Sequence, residues 1–181
     1  MSFLKIARMG HPVLRRKTSA VDLETLQSEA FQQFLDDMVE TMRDAEGVGL
    51  AAPQVYRPVR ALVAEVKAGG SRDSGQSGLP LTVLVNPKVV AASEELDAGW
   101  EGCLSIPDLR GMVPRARAIR VQALTREGEP QLVELVGFYA RVIQHEIDHL
   151  DGVLFLDRMT DLTSLTFLKE FERYWQPESE E

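Results

Sequence analysis

The stretch Gly137-Phe-Tyr-Ala-Arg-Val-Ile-Gln-His-Glu-Ile-Asp-His-Leu-Asp-Gly152 decides how this chain folds. Its period is helical. Phe138, Val142, His145 and His149 fall on one stripe, and Tyr139, Ile143, Ile147 and Leu150 on a second. Arg141, Gln144, Asp148 and Asp151 form a third, expected to face solvent. A helix with two such stripes is mostly buried, so the rest of the chain must be built around it. Within it, His145-Glu-Ile-Asp-His149 holds two of the 3 histidines of the 181 residues. The composition makes H-E-x-x-H roughly a one-in-200 coincidence. Residues four apart share a helix face, so both imidazoles reach one metal ion while Glu146, about 100° round, stands beside it without ligating. That layout serves a metal-activated water with a carboxylate base next to it. The bland alternative is a pair of core histidines. Two buried imidazoles need partners for their ring nitrogens, however, and a shared ion supplies one to each.

Outward from this helix, Leu23, Leu26, Phe31, Phe34, Leu35, Met38, Val39 and Met42 recur at three- and four-residue steps, predicting one amphipathic helix from Asp22 to about Arg43, with Gly47 as its stop. RALVAEV (60–66) and LTVLVNPKVV (81–90) read as strands, separated by a glycine- and serine-rich loop over 68–78. IRVQALT (119–125) and QLVELV (131–136), joined by REGEP, read as a hairpin. LTSLTFLKEFERYW (162–175) reads as a last amphipathic helix before the acidic tail PESEE. No repeat or linker separates two cores, and strands and helices do not alternate regularly. The expected fold is α+β, a single domain over 1–181, with antiparallel or mixed sheets packed around the central HExxH helix and a C-terminal helix.

The composition, 44% hydrophobic and 27% charged, suits a globular domain with a full core. A formal net charge of −8 disfavours a broad electrostatic grip on DNA or on anionic lipid. No apolar run reaches membrane-spanning length, and MSFLKIARMGHP lacks the layout of a secretory signal, so the expected compartment is the cytoplasm. The one cysteine, Cys103, makes no internal disulfide.

A catalytic metal site commonly takes three protein ligands. The extension H-E-x-x-H-x-x-G-x-x-H is obeyed through Gly152 but then meets Phe155, which excludes that class of third histidine. Two candidates stand level on the residues alone: a carboxylate of the last helix, Glu170 or Glu172, and Cys103 in Glu101-Gly-Cys-Leu-Ser105, where a metal would keep the thiol deprotonated. A further block, Gly47-Val-Gly-Leu-Ala-Ala-Pro-Gln54, is uncharged until it ends on an amide. Its glycines suit a place where another chain lies against the main chain.

The three blocks GVGLAAPQ, EGCLS and HEIDH, in this order, resemble peptide deformylase, and with GHPVLRRKT and the connecting strands the similarity covers nearly the whole chain. The resemblance implies a hydrolase that removes the formyl group from the N-terminal methionine of newly made proteins. It implies Cys103, His145 and His149 as metal ligands, Glu146 as the acid/base, and the Gln54 amide with the Leu104 N–H as donors to the formyl oxygen. Val48, Gly49 and Gly102 would bond the substrate backbone in strand fashion, and Val48, Phe138 and Val142 would hold the methionine side chain. The implied metal is one divalent ion, ferrous iron first, with zinc, nickel or cobalt also compatible with the ligand types. Glu101 and Arg110 are candidates for orienting ligands, while His11 has no matching role and Ser105 is expected to satisfy local backbone groups.

The implied partners are N-formylmethionyl nascent peptides and, transiently, the ribosome. Lys169 and Arg173 are offset by Glu170, Glu172 and the acidic tail, so strong RNA contact through the last helix is not expected. Two other readings stay open at this point: a zinc peptidase with Glu170 as third ligand, and a metal-binding protein without turnover.

Overall fold

The computed structural model describes residues 3–67 and 78–176. The expected loop over 68–78, except for Gly78, and the PESEE tail lie outside the described residues. In chain order the elements are α1 (Leu23–Gln27), α2 (Glu29–Asp44), β1 (Gly49–Ala51), β2 (Ala61–Val66), β3 (Leu79–Ala92), β4 (Leu96–Cys103), β5 (Ile106–Ala116), β6 (Ala118–Leu124), β7 (Pro130–Val136), α3 (Phe138–Leu150), β8 (Thr166–Phe167) and α4 (Leu168–Tyr174). Short 3-10 turns at Pro12–Arg15, Ala52–Val55 and Phe155–Arg158 punctuate them.

The named strands pair antiparallel throughout, in a five-stranded sheet of order β1-β2-β3-β6-β7 and a three-stranded sheet of order β4-β5-β8. β2 shows why no polar–apolar alternation marks it in the sequence. Leu62 and Ala64 face α3, packing with Ile143, Ile147 and Leu150, while Ala61 and Val63 face α2 and meet Leu35, Met38 and Met42. Alternate residues of a strand point to opposite faces, so a sheet covered on both sides must be apolar on both. The expected hairpin is β6–β7, with Ala118 opposite Val136 and Leu124 opposite Pro130.

Three expectations need correction. The helix expected from Asp22 to Arg43 is two helices broken at Ser28, whose side chain accepts from the Phe31 N–H at 3.3 Å and so caps α2. The cap restarts the helix while the apolar spacing runs on across the break. The last helix is shorter than 162–175, because Thr166 and Phe167 instead pair with Arg110 and Leu109 of β5. The third stripe of α3 is solvated only in part: Asp151 is exposed, but Arg141 and Asp148 are buried, matched by charges from β4, β5 and the turn after α3.

The start of α3 is set by Gly137, whose backbone lies at φ 61°, ψ −128°, a conformation a side chain disfavours. It turns the chain from β7 into a helix laid across the five-stranded sheet, which carries His145, Glu146 and His149 to the end of β4 and Cys103. No described helix is long and apolar enough to cross a membrane.

Candidate active site

β4 ends at Cys103, which pairs with Ile106 across a tight turn, and α3 brings His145 and His149 against it. Ligating atoms of the three side chains lie within 4.8 Å of one another, and Cys103 Sγ is 3.2 Å from His149 Nε2. One soft thiolate and two imidazoles at that spacing fit a first-row divalent ion. Glu170 and Glu172 do not join this group; both are exposed on α4. Burial alone would raise the Cys103 thiol, but the imidazoles of His149 and His145 outweigh it and hold the group well below its usual pKa. The surroundings therefore favour the thiolate, the form in which cysteine ligates a metal.

His145 reaches Glu101 through Nδ1, 2.9 Å from Oε2, which leaves Nε2 as its inward nitrogen. Glu101 is the hub of a buried network. Its carboxylate also accepts from Arg115 Nε at 2.9 Å and Nη2 at 3.0 Å, and from Arg141 Nη1 at 2.9 Å. Arg115 and Arg158 in turn donate to Asp148. Burial works against the Glu101 charge, yet bonds from His145 and Arg115 win and bring its pKa down to about 2. The sequence reading found Glu101 but missed Arg115, Arg141 and Asp148. No local signal marks them, because the Arg115–Asp148 and Arg141–Glu101 pairs span 33 and 40 residues of sequence.

Glu146 stands against Gly49 of β1. Its carboxylate is buried, and Oε2 has no hydrogen-bond partner among the described residues. Burial pushes its pKa up to about 7, with the nearby imidazoles opposing the shift. A carboxyl group titrating near neutrality is poised to exchange a proton.

Gln54, in the 3-10 turn after β1, is 1% exposed. Its Oε1 accepts from the Ala51 N–H at 2.8 Å, which turns the NH2 group inward, 3.2 Å from Ser105 Oγ and 3.6 Å from Cys103 Sγ. Ser105 thus does more than satisfy local backbone: its hydroxyl holds Gln54, and its N–H donates to Cys103 Sγ at 3.4 Å. Arg8 of the N-terminal segment, also unforeseen, donates to the Leu104 carbonyl at 2.6 Å. Arg110 lies over Gly102 and donates to Leu109 O. His11 caps the first 3-10 turn, with Nδ1 accepting from Val13 N–H, as a structural residue would.

Cys103, His145, Glu146 and Gln54 open on one cavity of about 1290 Å³. Val48, Gly49, Gly102, Leu104, Phe138 and Val142 line it as well, while His149 is buried behind, 1% exposed. The sequence reading named all of these residues, and the fold brings them together.

A buried Cys/His/His donor set beside a raised-pKa carboxylate, on the floor of a cavity with an inward amide, defines a metal-dependent hydrolase. The polypeptide deformylase family model matches residues 3–164. A peptide deformylase of Rhizobium meliloti is 45% identical over 173 residues, covering 96% of this chain and 94% of the relative. Peptide deformylase 2 of Nostoc sp. is 42% identical over 164 residues, 90% of each chain. The crystal structure of a class I type b peptide deformylase from Acinetobacter baumannii with Met-Ala-Ser bound superimposes with a TM-score of 0.83 at 39% identity, covering 87% of this chain and 99% of that one. The chain belongs to the polypeptide deformylase family, metal-dependent hydrolases that remove the formyl group from the N-terminal methionine of nascent proteins.

Proposed function

We propose that Cys103, His145 and His149 hold a divalent ion, ferrous iron in the cell, and that Glu146 is the acid/base of the deformylation. Zinc, nickel and cobalt suit the same donors, so handling decides which is recovered. The observation that carries the reading is the three donors within 4.8 Å of one another beside a carboxyl group with a pKa of about 7, on the floor of a peptide-sized cavity.

When bound, the ion supplies Lewis acidity and makes a water acidic enough to ionise near neutral pH. Glu146 accepts the proton as the water oxygen adds to the formyl carbon. The same carboxyl returns it to the methionine nitrogen as the C–N bond breaks, giving formate and a free amine. Gln54 Nε2 and the Leu104 N–H donate to the formyl oxygen as its charge grows. Gln54 is suited to this because Ala51 N–H and Ser105 Oγ fix its amide before substrate arrives. The backbones of Val48, Gly49 and Gly102 take the substrate as an added strand, and Val48, Phe138 and Val142 surround the methionine side chain.

We read the span 1–181 as one catalytic domain working in the cytoplasm, where nascent chains emerge. Contact with the ribosome is transient, because α4 balances Lys169 and Arg173 with Glu170 and Glu172 and offers RNA no basic face. The test is formate release from formyl-Met-Ala-Ser by protein loaded anaerobically with ferrous iron. Rapid release is expected, and background release from metal-loaded protein would overturn the reading.

A further inference from the structure

The family match ends at residue 164, yet α4, which follows it, helps to build the cavity that holds the metal donors. Leu168, Phe171 and Gln176 line its far side, facing Trp100 of β4. This wall is anchored. Phe171 and Trp175 pack on the Trp100 ring at centroid distances of 5.0 and 5.6 Å, and β8 is stitched to Leu109 and Arg110 of β5. Trp100 lies two residues before Gly102 on the same face of β4, and two residues of strand span about 6.6 Å. A substrate running strand-like past Gly102, with its formyl group toward Cys103, therefore reaches Trp100 and α4 about two residues later. The cavity, at about 1290 Å³, has room well beyond a formyl-methionyl group.

We propose that Trp100, Leu168 and Phe171 form a specificity wall that contacts apolar side chains at the third and fourth residues of the formylated peptide. This inference rests on the deformylase reading and deepens it. Burial of such a side chain against the packed indole and phenyl rings adds binding that a dipeptide cannot use, so it acts on KM rather than on the chemical step. Two of its three residues, Leu168 and Phe171, lie beyond the stretch that the family model matches. Polar side chains at those positions would leave the aromatic surface wet and gain little.

The experiment compares kcat/KM for formyl-Met-Ala with that for formyl-Met-Ala-Leu-Leu, using the iron-loaded full chain and its Phe171→Ala, Leu168→Ser and Phe171→Leu variants. The longer peptide is expected to be better by about fivefold or more, through KM, from burying part of a leucine side chain. Phe171→Ala and Leu168→Ser should each bring that ratio down toward one, and Phe171→Leu should keep most of it. A wild-type ratio near one overturns the wall, and so does a ratio unaltered in both variants, even if their rates fall for structural reasons. Absence of formate from either peptide with wild-type protein would instead strike at the deformylase reading itself.

Discussion

Gly49 and Glu146 occupy space that only a glycine leaves open: a Cβ on Gly49 would meet Glu146 Oε1 at 2.4 Å and its Cγ and Cδ at 2.8 Å. The backbone proposed to bond the substrate therefore also forms the wall against which the carboxylate rests. Gly49→Ala must push the carboxylate aside while leaving the metal donors untouched. Displacing a reacting group by about 1 Å costs about 100-fold in rate. Formate release should fall by that order while bound metal, measured by elemental analysis, stays at the wild-type level. Full activity in this variant would show that Glu146 need not sit where it does.

Glu146→Gln separates the proton carrier from its volume. The loaded variant should keep its metal and lose about 10²- to 10⁴-fold in formate release. Metal-free protein carries a second signature. The Glu146 pKa is raised from 4.5 to about 7 by burial, so its contribution to stability is fully present below pH 4.5 and lost as the pH rises through 7. The metal-free variant should unfold at a higher temperature than metal-free wild type at pH 8, with the difference vanishing near pH 4. Equal melting temperatures at pH 8 would mean that the buried charge carries no such penalty.

α3 was legible because its apolar spacing and the two histidines fall within one uninterrupted helix, and the β6–β7 hairpin because REGEP interrupts two strand patterns. The break at Ser28 was not, since a side-chain cap leaves the spacing of Leu26 and Phe31 unaltered. Arg141 and Asp148 were read as solvated because charge in a helix usually is. Their neutralising partners, Glu101 and Arg115, are 40 and 33 residues away in sequence, beyond any periodicity. The choice between Cys103 and a carboxylate of the last helix could not be made from spacing either. Resemblance favoured the cysteine, and the meeting of β4 with α3 supplies the physical reason.

That choice has its own test. Cys103→Ser replaces an acidic thiol with a hydroxyl that stays protonated, so the metal should leave on dialysis against a mild chelator. Glu170→Gln, by contrast, should retain it, since Glu170 is exposed and outside the donor group. Retention by the serine variant with loss by the glutamine variant would reverse the assignment.

Glu101 joins the donor set to the stability of the whole fold. One carboxylate, 5% exposed, orients His145 and neutralises Arg115 and Arg141, themselves 5% and 6% exposed. Glu101→Gln leaves two buried cations short of a countercharge, a change that typically costs about 3–5 kcal/mol. Loss of the carboxylate behind His145 should also weaken metal binding by about 10- to 100-fold. The ion pair of Arg15 with Asp157 is a useful contrast: at 50% and 40% side-chain exposure it is worth about 0–1 kcal/mol, and Arg15→Ala should change stability little. The pH dependence follows in sign. Because the Glu101 pKa is depressed to about 2, its contribution is present above pH 4.5 and lost as the pH falls from there toward 2. Denaturant melts of metal-free wild type should thus weaken across that window, and those of Glu101→Gln should weaken less. If the variant melts like wild type at pH 7 and binds metal as tightly, the network around Glu101 supports neither the fold nor the donor set.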